Sequence, residues 1–473
     1  MYDIFKSTIS VARKYIVEVI MKKLLVTLMC VAMVLTLMPA VAFADATTVV
    51  TTESELRNAL QNGGNVALDA NITGISTVEV PEGKTVNLDL NGFKIETTTK
   101  TGDPSRHYYA IDNYGKITID DSSAGGTGEI YARGVENLGN GEMIINGGTF
   151  ISCDANGGAC VWNEAKLTVN GGLFKTVHVG SAGDSVGVGC INNSGTALIT
   201  GGRFEDVNKR TYAIISTGNI TITPAEGKEV VVFGAHGGLA IDSGVAVING
   251  GSYSSEDYYG LYVSNDGKGT IPEDAAVTVN GGTFSGKNYS VWIGSDHNNP
   301  VNSTIEIYGG NFEQPLNAQD CTREGAIKIK GGTYSEPPTE FVDPTAYVID
   351  SSTGKFVVAP IATEITLDKT TASIEVGQTI TLKATVLPEG TLDTVAWATD
   401  KADVATVKDG VVTAVAPGTA TITATVNGKT ATCKVTVHKA TVPKTDDSAN
   451  MMLWLVLVAI AGVGAVAFKK KED

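Results

Sequence analysis

Through the middle of the chain, apolar and polar residues alternate in short runs, as in Leu-Thr-Val at 167–169, Val-Thr-Val at 277–279 and Ile-Glu-Ile at 305–307. Alternation of this kind predicts strands with one buried face. Each run leads into Gly-Gly and then an aromatic residue. Gly-Gly supports a tight turn with unusual backbone angles, and the aromatic returns to the interior.

The pattern repeats seven times: NGGTF (146–150), NGGLF (170–174), TGGRF (200–204), NGGSY (249–253), NGGTF (280–284), YGGNF (308–312) and KGGTY (330–334). Successive first glycines are 24, 30, 49, 31, 28 and 22 residues apart. The interval of 49 is two units, with ITITPAEG (220–227) supplying a member that lacks Gly-Gly. LDLNG (88–92) and ITIDD (117–121) extend the series towards the N-terminus, giving about ten units. Repeats of such length signal stacked coils, each burying the apolar face of its neighbours. Stacking would align Phe150, Phe174, Phe204, Tyr253, Phe284, Phe312 and Tyr334 as an internal ladder.

A second alignment fixes the register. AIDNYG (110–115), GVENLG (134–139), CVWNEA (160–165) and CINNSG (190–195) place Asn113, Asn137, Asn163 and Asn193 in one column, with Ser216 and Asp242 as its expected continuation. Stacked Asn side chains can pass amide hydrogen bonds from coil to coil. A helical stripe occurs at 52–64, where Thr52 and Glu55 predict a capping box and Leu56, Ala59 and Leu60 an apolar face over the first coil. Residues 335–360 hold Pro337, Pro338 and Pro344 and are expected to form an irregular cap and linker.

These repeats resemble the right-handed parallel β-helix of the pectate-lyase-like superfamily, particularly the repeats of bacterial surface proteins, over roughly residues 50–360. At about 4.8 Å per coil, ten coils imply a column of about 50 Å. The motifs specify an architecture and no activity.

From 361 to 438 Gly-Gly stops and Thr and Val dominate short alternating strands, as a β-sandwich requires. VGQTITLKATVLPEG (376–390), VAW (395–397), VATV (404–407) and GVVTAVAPGTATITAT (410–425) resemble a bacterial Ig-like domain of group 2. That resemblance implies a spacer or stalk, with Trp397 as the core aromatic and Cys433 a buried thiol on the last strand.

Both ends carry membrane signals. Met21, Lys22 and Lys23 precede an apolar core at 24–38, and Ala42-Phe43-Ala44 predicts signal cleavage before Asp45. Residues 1–20 read as an upstream extension. At the other end, Val442, Pro443, Lys444, Thr445 and Asp446 precede an apolar run at 451–468, long enough for a transmembrane helix, and a basic tail at 469–473. The order resembles a sortase cell-wall sorting signal, which implies sortase and peptidoglycan as partners, although Asp446 stands where that family has Gly. A plain C-terminal membrane anchor fits the same residues, and either reading places residues 45–440 outside the cell.

The 473 residues carry a formal net charge of −16, which repels nucleic acid. Six cysteines, none in a Cys-x-x-Cys pair, indicate neither a zinc site nor a disulfide framework. Cys160 and Cys190 share a column, so the register permits a disulfide; two buried small thiols fit as well. No metal or cofactor is expected.

If the ladder Asn points inward, the preceding residues Asp112, Glu136, Trp162 and Asn192 point out and stack. Carboxylates, an indole and an amide in a row suit a glycan, the polar groups taking hydroxyls and the ring a sugar face. An ordinary solvated strand face is the simpler account of the same residues. Tyr258, Tyr259 and Trp292, within a wider group that includes Tyr262 and Tyr289, are further candidates, some of which core packing must claim. Asp112 with Glu136 could be a glycosidase pair, which requires carboxyls about 5–9.5 Å apart. The acidic calcium cluster and basic proton acceptor of related polysaccharide lyases are not recognised, and Arg106, Arg133, Arg203 and Arg210 are scattered. The expectation is a non-enzymatic adhesin or glycan-binding surface protein, with a surface lyase or hydrolase, or a purely structural wall protein, as alternatives.

Overall fold

The computed structural model describes residues 46–440, except 101–102, 154–157, 178–188, 210, 265–273, 295–301, 319–320 and 322–323. The signal at 21–44, the sorting residues Val442 to Asp446 and the apolar run 451–468 lie outside the described residues. Among the described residues, no helix is long and apolar enough to cross a membrane. The chain divides into two units. One holds the residues up to Ile305 together with Phe312–Ala326; the other holds Glu306–Asn311 and the residues from Ile327 onward.

The first unit is built from coils of three short parallel strands. Lys116–Asp120, Glu129–Ala132 and Val135–Asn137 form one coil, and Glu142–Ile145, Thr149–Ser152 and Val161–Asn163 lie directly over them, residue for residue. Repetition gives three faces, called here the first, second and third sheets. The third sheet has ten strands, from Val78–Val80 to Leu316–Asn317, in unbroken sequence order. The fold is the all-β parallel coil that the repeat implies.

Alternation within each strand sorts its side chains. In the first sheet Ile117, Met143, Leu167, Ala197, Ile220, Ala246 and Val277 form one inward column, each at most 2% exposed. At the corner into the second sheet, the second glycine of all seven pairs has φ between +89° and +120°, a conformation that a side chain disfavours. The turns are in file: Leu173 N–H donates to Gly148 O and Arg203 N–H to Gly172 O.

The aromatic ladder forms, with one interruption. Phe150, Phe174 and Phe204 stack with ring centroids 5.0 and 4.8 Å apart, and Tyr253, Phe284 and Phe312 do so at 4.9 and 5.1 Å. Val232 stands between the two runs, in register with Phe204 and Tyr253. This is the coil without Gly-Gly, formed by Asn219–Ile222 and Val230–Gly234. A tyrosine is tolerated in the column because Tyr253 Oη donates to Gly250 O at 2.8 Å, within its own turn.

Helix Glu53–Asn62 closes the N-terminal end. Thr52 caps it, the reciprocal bonds with Glu55 are present, and Leu56, Ala59 and Leu60 are buried. A strand that the alternation did not reveal, Thr48–Val50, pairs in parallel with Gly64–Leu68. An inserted antiparallel hairpin, Thr99–Lys100 with Asp103–His107, precedes the third-sheet strand Ile111–Asn113.

In the second unit, residues 335–360 are more regular than expected. Tyr347–Asp350 and Phe356–Pro360 form an antiparallel hairpin whose second strand also pairs with Gly332–Tyr334. Pro337, Pro338 and Pro344 fall before it and Pro360 ends its second strand, so the segment is a paired hairpin in place of an irregular stretch. Beyond it, Gly418–Val426 and Lys429–His438 form the long central hairpin of a sandwich, flanked by Ala396–Thr399 and Thr371–Glu375 and faced by Thr379–Thr381, Val411–Ala414 and Ala405–Lys408. Ile422, Cys433 and Val435 are fully buried in its core, and Trp397 is half-buried against both apolar clusters of the domain. Cys433 is a free thiol whose ionisation burial disfavours.

Candidate functional site

The third sheet decides which side chains reach solvent. Its inward positions carry Asn113, Asn137, Asn163 and Asn193, all fully buried. Each of the first three donates from Nδ2 to Oδ1 of the next at 2.7 Å, and Asn193 donates to Ser216 Oγ at 2.9 Å. The ladder stops there. Asp242, expected to continue it, lies one position beyond the column, because Ser216 pairs with Ile241. The corner after Ile241 is one residue longer than its predecessor, so Asp242 moves to the edge and accepts from Ser264 Oγ at 3.1 Å.

Because the ladder Asn points in, the preceding residue points out. The register joins Glu79, Asp112, Glu136, Trp162, Asn192, Ile215, Ala240, Tyr262, Trp292 and Asn317 into one outward column. Of the aromatic candidates, Trp292 thus shares the row of the acidic group, whereas Tyr259 stands in another column, with Gly237 and Tyr289, and Tyr258 precedes it. Asp112, Glu136, Trp162 and Asn192 are half-buried and spaced about one coil, ~4.8 Å, apart. Glu79 extends the acidic end, and the signal for it was present: Val-Glu-Val at 78–80 aligns with Ile-Asp-Asn at 111–113.

Burial first, and after it the charge of the neighbouring Asp112 and a hydrogen bond with it, together push the Glu136 carboxyl up to about 7. Arg133 pulls the other way. Its guanidinium lies 4.0 Å from the centre of the Tyr109 ring, a cation–π contact in a dry setting where burial raises the Tyr109 hydroxyl to about 12. Of the arginines that looked scattered, Arg133 therefore belongs to this site. Trp162 Nε1 donates to Glu164 Oε1 at 3.0 Å, which fixes the indole. Tyr114, 37% exposed, completes the rim. Burial raises its hydroxyl, and so do the charges of Asp112, Glu79, Glu136 and Glu164, so all four carboxyls face one patch.

The aromatic end is built differently. Tyr212 and Tyr262 stack across Ala240 with centroids 5.0 Å apart, and Trp292 stacks on Tyr262 and on Tyr259, both at 5.1 Å. Tyr262 is 5% and Trp292 6% exposed, so this is a satellite apolar cluster outside the coil interior. Tyr259 and Tyr289 pack half-buried against it. Tyr258 is open, at 40% exposure, and tilts over His236 at 4.5 Å.

Asp112 and Glu136 are register partners on adjacent coils, whose strands lie about 4.8 Å apart, at the lower end of the carboxyl separations of about 5 Å or more that glycoside hydrolysis uses. Among the described residues, no group of three His, Cys, Asp or Glu side chains is placed to hold a metal ion. Cys160 and Cys190 are free, buried thiols. Burial, and after it a hydrogen bond with Cys160, raises Cys190 well above the ordinary thiol range.

The two architectures define the protein as a parallel β-helix-like coil carrying an Ig-like sandwich. Residues 361–437 match the family described as bacterial Ig-like domain (group 2), in agreement with the strands found there. Domains of this group are typical of bacterial surface proteins. No curated protein is significantly similar to the chain.

Proposed function

We propose that the protein is an exported bacterial surface protein that binds glycans along the outward row of its third sheet, with no catalysis at that row. The observation that carries the reading is the in-register file Asp112–Glu136–Trp162–Asn192. A pyranose ring and one coil are of comparable length, so a chain lying along the row could meet one side chain per sugar. Trp162 would stack on a sugar face while the carboxyls and the Asn192 amide take hydroxyls. The sandwich would act as a stalk, with Val442 to Asp446 and the run 451–468 as the attachment to wall or membrane through a sortase or directly.

A glycan array probed with the full-length protein tests this. Trp162→Ala should reduce binding roughly tenfold or more, the size expected for loss of an aromatic anchor, while leaving the melting temperature unchanged. A lyase or hydrolase would instead release sugar, and Glu136→Gln would stop it. A purely structural wall protein would give neither signal.

A further inference from the structure

We infer that this face excludes anionic glycans and takes uncharged ones, an inference that rests on the glycan-binding reading. Glu79, Asp112 and Glu136 stand side by side on three successive coils, immediately before Trp162. Glu164 follows two residues later and is held on the indole Nε1 at 3.0 Å. A sugar stacked on Trp162 therefore meets a carboxyl on the coil below and another at the indole edge. Burial, and after it the charges of Asp112, Glu79, Glu136 and Glu164, raise the hydroxyl of the exposed Tyr114, in keeping with the register that sets Glu79, Asp112 and Glu136 on one face. The guanidinium of Arg133 is committed to the Tyr109 ring and to Glu136, and the carboxyls of Glu79, Asp112 and Glu164 remain beside Trp162.

A uronate, sialate or sulfate on the ligand would add a like charge within one or two coil spacings of this row. Repulsion at such distances is felt in water and is screened as salt shortens the Debye length from about 8 Å at physiological strength to about 3 Å at 1 M. A neutral sugar meets only hydrogen-bond acceptors, which its hydroxyls satisfy. The neutral apolar side chains of Ile215 and Ala240 continue the row on the other side of Asn192 and offer an anion no compensation.

The test uses the full-length protein on an array carrying neutral glycans beside their uronic, sialylated and sulfated counterparts, at low and at 1 M salt. Wild type should bind neutral glycans at both salt levels and acidic ones poorly at low salt. Glu79→Gln should raise binding of acidic glycans roughly fivefold at low salt, the effect of removing one nearby charge, and Glu136→Gln should do so above pH 7, where that carboxyl is ionised. Acidic glycans bound by wild type at low salt as tightly as neutral ones, with that binding lost in Trp162→Ala, would overturn the selectivity and leave the glycan-binding reading standing. An array with no bound glycan, and no effect of Trp162→Ala, would overturn both.

Discussion

Asn137 donates its side-chain amide to Oδ1 of Asn163, one coil away, at 2.7 Å, and neither residue has any exposed surface. Asn163 also donates to Asn193 at 2.7 Å. Replacing Asn163 by Leu would deprive Asn137 Nδ2 and Asn193 Oδ1 of their ladder partners, and Ala165 of bonds to its N–H and carbonyl. The expected cost is about 1–3 kcal/mol for each buried group left unpaired. Chemical denaturation should show a larger loss for Asn163→Leu than for Ser216→Ala, which lies at the end of the ladder.

The aromatic file makes a packing prediction. Phe174 is fully buried between Phe150 and Phe204, with a ring on each side. Phe174→Ala should cost about 3–5 kcal/mol, because the coils above and below are held by strand pairing and cannot close the void. Phe174→Leu should cost less, and a calorimetric series of Ala, Leu and Met variants would give the order.

Gly134 tests the close approach of adjacent coils. A Cβ there would lie 1.7 Å from the carbonyl oxygen of Cys160, and a backbone atom of the next coil cannot yield. Gly134→Ala should abolish soluble, folded protein. Gly227→Ala, where no atom lies within 4 Å, should express and lose only the cost of its φ of +71°, about 1–2 kcal/mol.

Glu136 predicts a pH dependence with a definite sign. Its folded value of about 7 exceeds the ordinary 4.5, so the folded state holds the proton more tightly than the unfolded chain. Stability then falls as pH rises from about 4.5 and the loss is complete above about 7. Glu136→Gln carries no such penalty. Its melting temperature should exceed that of wild type at pH 8, and the difference should vanish near pH 4.5. A difference independent of pH would show that Glu136 is not desolvated.

The first, second and third sheets were legible because each coil repeats the same solution. Asn113, Asn137, Asn163 and Asn193 align by eye, each closing a short strand just before a corner. The alignment failed at Asp242, where one extra corner residue was invisible without the pairing of Ser216 and Ile241. The capping helix was legible from Thr52 and Glu55. The hairpin of residues 347–360 was not, because the prolines around it resemble a linker in any one-dimensional reading.

The candidate site was legible only as two separate groups. Asp112 to Asn192 came from the aligned repeats, and Tyr258, Tyr259 and Trp292 from local composition. What separated them in kind was packing. Trp162 and Trp292 occupy the same outward column, yet Trp292 is enclosed by Tyr262 and Tyr259 while Trp162 borders carboxyls and an amide.

Alternation and a recurring Gly-Gly determined the strands, the inward faces and the order of the coils, since a period of two and a fixed turn leave one way to bury each apolar row. Only the folded chain decided solvent access, the shared field at Glu136 and the place of Arg133. Those depend on distances between residues 20 or more apart in sequence, which no local pattern encodes.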